Sequence, residues 1–133
     1  VKINRHQIRE RAFQTLFAQE SNPELDAQEF YQQLAADDNQ AIVPPYFQEL
    51  VKGVHEHQPE LRQQLQEYLA SGWQLDRISR PALVILELAL FEIKFVTDLP
   101  PKVAINEALE LAKKYSDEQT VNFVNAVLDR SIK

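Results

Sequence analysis

Three basic side chains stand close together near the start of this chain. Arg5, His6 and Arg9 fall on one side of a helical wheel, one or two turns ahead of an apolar stripe of Ala12, Phe13, Leu16 and Phe17, and Lys2 precedes them. A guanidinium cannot be buried unpaired. The spacing therefore predicts that the first turns project past the protein body and offer cations to something outside. Basic side chains on phosphates supply most of the sequence-independent affinity for nucleic acid and make it salt-dependent. A solvated, frayed terminus has the same composition, and charge alone does not separate the two. Arg11 points away from this stripe and reads as surface. At the other end of the chain, Phe123 sits at the margin of a helical core face, where an aromatic ring either stacks on an unpaired base or closes the edge of the core. Tyr68 poses the same choice: its hydroxyl could reach a ligand, while its spacing with Leu61 and Leu65 favours packing.

Other chemistry is poorly served. His55 and His57 are two residues apart, so a helix turns them nearly opposite ways, a poor metal pair. There is no cysteine, which excludes a disulfide framework and thiolate metal sites. Asp37-Asp38 reads as a loop feature, and Asn106 and Asn125 as residues that satisfy backbone groups at helix contacts. No nucleophile-base pair, phosphate-cradling glycine loop or metal spacing is present. The expectation is a protein that is not an enzyme, with no cofactor and no metal.

The formal charge of −6 sits awkwardly with a nucleic-acid binder, but it is unevenly spread. Residues 1–20 hold four basic and two acidic side chains (+2), residues 21–67 two and nine (−7), and residues 68–133 eight and nine (−1). Positive charge is concentrated at the N-terminus. The 133 residues suit one compact domain. The longest apolar run, Ala82–Val96, carries Glu87, Glu92 and Lys94 and is too short to span a bilayer. With no apolar leader at the start, a cytoplasmic protein without a membrane partner is expected.

Two glycines against seven prolines favour helices punctuated by proline. Asn4 can cap the first helix, with Gln7 completing a capping box, and that helix runs to about Gln19. Asn22-Pro23 opens a second, with Ala27, Phe30, Tyr31 and Leu34 inward. Pro44-Pro45 opens a third, lined by Phe47, Leu50, Val51 and Val54, and Pro59 marks its end. Leu61, Leu65, Tyr68 and Leu69 line a fourth, closed by Ser71-Gly72. Trp73–Ile78 is a linker or short turn. Ser79 before Pro81 starts a fifth helix, apolar on nearly all sides and therefore central. Pro100–Tyr115 is the sixth, with Glu110 placed to pair with Lys113 and Lys114. Ser116 and Gln119 form a capping box for the seventh, whose core side is Val124, Val127, Leu128 and Ile132. The fold class is all-α, about seven helices in two small packed bundles, divided near residue 72 into subdomains of about 1–72 and 73–133.

Three stretches carry a resemblance. P-x-K-V-A-I-N-E-A-x-E-L-A-K from Pro100, followed by F-V-N-x-V-L-D at Phe123–Asp129, is similar to the C-terminal signature of the NusB family of bacterial transcription antitermination factors. W-x-L-D-R-I-S-R at Trp73–Arg80, leading to L-A-L-F-E at Leu88–Glu92, and R-x-x-I-R-E-x-A-F-Q-x-L-F at Arg5–Phe17 extend the likeness over nearly the whole chain. The resemblance implies an all-helical, NusB-like RNA-binding domain over 1–133. It implies binding of a boxA-type RNA element of ribosomal operons as a heterodimer with NusE, the small-subunit ribosomal protein that doubles as a transcription factor. That assembly helps RNA polymerase pass terminators during ribosomal RNA transcription. Lys2, Arg5, His6, Arg9, Tyr68 and Phe123 are the residues expected at RNA.

The chain departs from the family pattern at Ala82 and Leu83, where an acidic-basic pair is common, and at Glu87, where Arg is common. Each change removes a charge or polar contact, which predicts weaker RNA affinity without a partner. Two alternatives share the fold. One is the N-terminal domain of a ribosomal RNA cytosine methyltransferase, against which stands the want of a cofactor-binding domain after the seventh helix. The other is a protein-interaction adaptor, as a homodimer or otherwise, without an RNA role.

Overall fold

The structure, a computed structural model, describes residues 3–36 and 42–133. Among them are six α-helices and no strand. They are α1 (Arg5–Ser21), α2 (Ala27–Leu34), α3 (Pro45–Tyr68), α4 (Arg80–Phe95), α5 (Pro101–Tyr115) and α6 (Glu118–Ser131), with a 3-10 turn at Leu75–Arg77 before α4. The chain divides into two compact units, one up to His55 and one from Glu56 onward, so the division falls inside α3. The boundary drawn from sequence near residue 72 sits at a turn within the second unit. There Gly72 adopts a φ of +90°, a left-handed conformation that side-chain-bearing residues rarely adopt.

In the first unit, α1 starts as its sequence requires. The Asn4 side chain accepts from the Gln7 N–H at 2.9 Å and the Gln7 side chain accepts from the Asn4 N–H at 3.2 Å, so both halves of the capping box form. Ile8, Ala12, Phe13 and Leu16 are buried, whereas Phe17, at the end of the stripe, is 40% exposed. Helix α2 begins later than Asn22-Pro23 suggested. Asp26 is its cap, accepting from the Glu29 N–H at 3.0 Å, and Pro23 lies in the preceding turn. An ionised carboxylate is a stronger acceptor for a first-turn N–H than an amide. Tyr31 is fully buried, edge-on to Phe47 of α3 with centroids 4.7 Å apart. Its hydroxyl accepts from Arg11 at 3.0 Å. Arg11 is thus a clip between α1 and α2, not a free surface cation.

In the second unit, α4, α5 and α6 pack on one another. Every residue of α4 from Val84 to Glu92 is buried, as expected of a helix apolar on nearly all sides. Ser79 caps it through the Ala82 N–H. Helix α5 buries Ala104, Ile105, Ala108, Leu111 and Ala112, and α6 buries Val124, Val127 and Leu128. Ile132 is 36% exposed, outside the core face assigned to it. Lys113 pairs with Glu110 at 3.6 Å on the solvent side. The later turns of α3 run along α4: Arg62 Nε donates to Glu87 at 3.0 Å, and His57 stacks on Phe95 with centroids 4.1 Å apart.

Six helices replace the expected seven because Pro59 does not end a helix; α3 continues through it. Proline removes a backbone bond to the carbonyl four residues back and crowds it, at a cost of about 3 kcal/mol. Here Pro59 and His55, which owns that carbonyl, are both exposed, so water can serve it. Val54, Leu61 and Leu65, on either side of the proline, are essentially fully buried, and each contributes about 1.5–3 kcal/mol. Burial outweighs the local penalty. Replacing Pro59 by Ala is therefore expected to raise stability by about 1–2 kcal/mol, less than the full helix penalty because the unfolded chain also becomes freer. A thermal melt checks this, and a lower melting temperature would show that the proline is not strained there.

Glu87, the departure from the family's Arg, is 2% exposed and bonded to Arg62, which is 38% exposed. It lies inside the unit, so it removes no charge from the surface. Truncating Arg62 to Leu removes this partner from a buried carboxylate and should destabilise by about 2–4 kcal/mol. Adding Glu87→Leu should recover part of that loss, because an apolar pair leaves no buried charge. Chemical denaturation of the single and double variants measures both; a neutral Arg62→Leu would mean the pair behaves like a surface bridge.

Candidate nucleic-acid interface

Two separate groups of residues could meet RNA, one in each unit. The first is the start of α1. Arg5 and His6 are exposed, and the first turn holds no acidic side chain. A helix N-terminus carries a partial positive charge, and nothing in that turn cancels it. The Arg5 guanidinium carbon lies 4.3 Å from the centre of the buried Tyr46 ring. This cation-π contact, worth about 0.5–1 kcal/mol at an exposed site, holds the arginine against its unit while leaving the residue at the surface. Lys2 lies outside the described residues, as do Asp37 and Asp38.

Arg9 differs from the expectation. It is 3% exposed and engaged within the fold. The buried stripe of α1 reaches back to Ile8 and Arg9, so the change from core to solvent falls one turn earlier than the residue types suggested. The projecting cationic stretch is correspondingly short, and Arg9 is a buried structural arginine.

The second group surrounds the turn between α3 and α4. Tyr68 is half-buried at the end of α3. Its hydroxyl accepts from Lys94 at 3.5 Å and its carbonyl from Arg130 at 2.6 Å. Phe123 is half-buried on α6 and leans against Trp73, with centroids 5.9 Å apart and planes at 43°. The two rings border an open cleft of about 420 Å³, also lined by Arg77, Ser79, Asp117 and Thr120. Trp73 was read from sequence as part of a linker and of the W-x-L-D-R-I-S-R motif, with no role assigned to its ring. The signal that could have found it is a lone tryptophan in a polar turn, W-Q-L-D-R, with no helical face to join.

Helix α6 begins at this cleft. Its cap is Asp117, whose carboxylate accepts from the Thr120 N–H at 2.8 Å. Ser116, expected to be the cap, instead ends α5, its N–H donating to the Ala112 carbonyl. The backbone and side-chain bonds from Thr120 hold the Asp117 carboxyl below the usual aspartate range, so it is anionic at neutral pH. The other candidates are unremarkable: His55 bonds Gln19 at 2.7 Å, and His57 contacts Glu60 as well as Phe95. Asn106 and Asn125, expected at helix contacts, are both exposed, since each falls opposite the buried stripe of its helix. Among the described residues no group of three or more His, Cys, Asp or Glu could hold a metal ion, and no helix is long and apolar enough to cross a membrane.

The model of the NusB family matches residues 6–133. The chain belongs to the NusB family. It is 52% identical over 132 residues to the transcription antitermination protein NusB of Levilactobacillus brevis, covering 98% of this chain and 93% of that protein. It is 47% identical to the NusB of Lactiplantibacillus plantarum, covering 100% and 97%. Among solved structures it is similar to T. maritima NusB, with a TM-score of 0.86, 29% identity, and 98% and 91% of the two chains covered. It also resembles a chain in the crystal structure of antitermination factors NusB and NusE in complex with dsRNA, with a TM-score of 0.80, 25% identity, and 95% and 93% covered. The helical fold expected from the family signature is the one found. The NusB relatives are named as antitermination proteins, not as enzymes.

The lowered pKa of Asp117 has a consequence for stability. The folded state holds this group ionised more readily than the unfolded chain does, so its contribution is present above the ordinary aspartate range. It is lost as pH falls through the depressed folded value. Asp117→Ala is expected to lower the melting temperature at pH 7, and the gap to the unaltered protein should close as the solution is acidified through that range. Asp117→Asn, which can still accept the Thr120 bond, should lose less. Melting curves across pH test this, and a pH-independent gap would remove the cap from the account.

Proposed function

We propose that this chain is a transcription antitermination factor that binds boxA-type RNA of ribosomal RNA operons together with NusE, as part of the RNA polymerase antitermination complex. The observation that carries this reading is full-length similarity to NusB proteins, one of whose structures is described as NusB and NusE with double-stranded RNA. In this reading the contacts come from a few local groups. Arg5 and His6 at the start of α1 meet phosphates, with Lys2 ahead of them in sequence, and Phe123 and Tyr68 meet the RNA from the second unit. The overall negative charge disfavours RNA at long range, so affinity comes from these local groups and from NusE. If NusE strengthens RNA binding, RNA strengthens NusE binding by the same factor.

The test is a titration of boxA-type RNA with and without NusE, over a series of salt concentrations. Arg5→Glu should weaken RNA binding and lower the salt slope by roughly one unit, with the protein still folded at the assay temperature, since Arg5 lies at the exposed start of α1. Arg9→Ala should behave oppositely, costing about 2–4 kcal/mol of stability by removing a buried side chain from its contacts, with little effect on RNA affinity once folded. Unchanged affinity and slope for Arg5→Glu would remove the start of α1 from the interface. Absence of boxA binding even with NusE would overturn the function.

A further inference from the structure

Trp73 packs on Phe123 on one side and leaves about half of its surface to solvent. It is the chain's single tryptophan and is 48% exposed. Exposing so much of an indole forgoes burial that would stabilise the fold, yet the turn that carries it is held firmly. The Gln66 side chain bridges the turn: its Nε2 donates to the Trp73 carbonyl at 2.9 Å and its Oε1 accepts from the Leu75 N–H at 3.2 Å. The Trp73 N–H donates to the Ala70 carbonyl at 3.1 Å. On its inner side the indole leans on Phe123. A hydrogen-bonded turn that presents an aromatic ring to solvent has the form of a stacking platform.

We propose that Trp73 is the principal base-stacking residue of the second unit, receiving one unpaired base of the bound RNA on its solvent face, with Gln66 as the residue that positions it. This rests on the proposed RNA-binding function and deepens it.

Geometry and charge decide what occupies the platform. A base sandwiched between two rings needs a slot of roughly 7 Å, twice a van der Waals contact. Trp73 and Phe123, at 5.9 Å and 43°, lean together instead, so the base stacks on the outer face of the indole and Phe123 supports it from behind. The adjoining cleft of about 420 Å³ is large enough for a nucleobase. The exposed Asp117 carboxylate on its lining repels phosphate and can accept from the N–H groups of a base edge. The exposed Arg77 on the same lining suits a phosphate. A carboxylate and a guanidinium beside one exposed ring suit the two ends of a nucleotide, its base edge and its phosphate.

Because Trp73 is the only tryptophan, its fluorescence reports on the platform directly. Single-stranded boxA-type RNA is titrated into the full chain, with and without NusE. Tryptophan emission and fluorescence anisotropy of labelled RNA are followed together, and Trp73→Phe protein provides the background. The expected result is quenching that tracks the binding isotherm, with Trp73→Ala weakening affinity roughly 5- to 100-fold and Trp73→Phe restoring most of it. Gln66→Leu should give an intermediate loss, with quenching reduced although the indole is retained. Circular dichroism confirms that the variants fold, and the unaltered protein's quenching stands even if one does not. RNA binding at full strength without quenching, or with Trp73→Ala unaffected, overturns the platform while leaving the RNA function intact. Quenching by NusE alone and none by RNA overturns it in favour of a protein contact. No RNA binding by the unaltered protein with NusE present removes the functional reading itself.

Discussion

Helix α4 has no face it can show to water. From Val84 to Glu92 every side chain is buried, so other helices must enclose it, and the second unit is the solution to that constraint. Helices α5 and α6 and the later turns of α3 cover it. Hydrophobic burial of this kind is the main favourable term in folding. It fixes the positions from which Tyr68, Trp73 and Phe123 reach the surface. It also explains why Glu87 is tolerated: enclosed among apolar residues, its charge is met by Arg62. Glu87 is therefore part of the packing of the second unit and not of its surface.

Much of the fold was legible because the deciding interactions are local. The Asn4–Gln7 capping box, the Ser79 cap and the all-round apolar pattern of α4 depend on residues within one helix or beside it, and all three formed as their spacing required. What was not legible depended on tertiary surroundings. Pro59 is a helix breaker by local rules, but buried residues before and after it carry α3 through. Ser116 and Asp117 are both competent caps; the end of α5 takes the serine and leaves the aspartate to α6.

The candidate sites show the same division. Arg5, His6 and Arg9 share a wheel face, yet one turn of helix separates exposed cations from a buried one, and no periodicity marks where the core begins. The family signature drew attention to Phe123. It did not indicate that Phe123 supports the outward-facing Trp73, because that contact joins residues fifty positions apart. An acidic protein can hold RNA on such terms. In the proposed function a short cationic helix start and an exposed aromatic ring act at contact range, where net charge matters less than what lies within a Debye length of about 8–10 Å.

The most direct test is an NMR titration of the labelled full chain with single-stranded boxA-type RNA in the presence of unlabelled NusE. The account predicts that shifts changing between the NusE-bound and the RNA-bound states concentrate at Arg5 and His6 and at the Trp73 indole N–H, Arg77 and Phe123, with the exposed face of α2 silent. RNA-dependent shifts confined to α2 or to the exposed face of α5, with Arg5 and Trp73 unmoved, would contradict it.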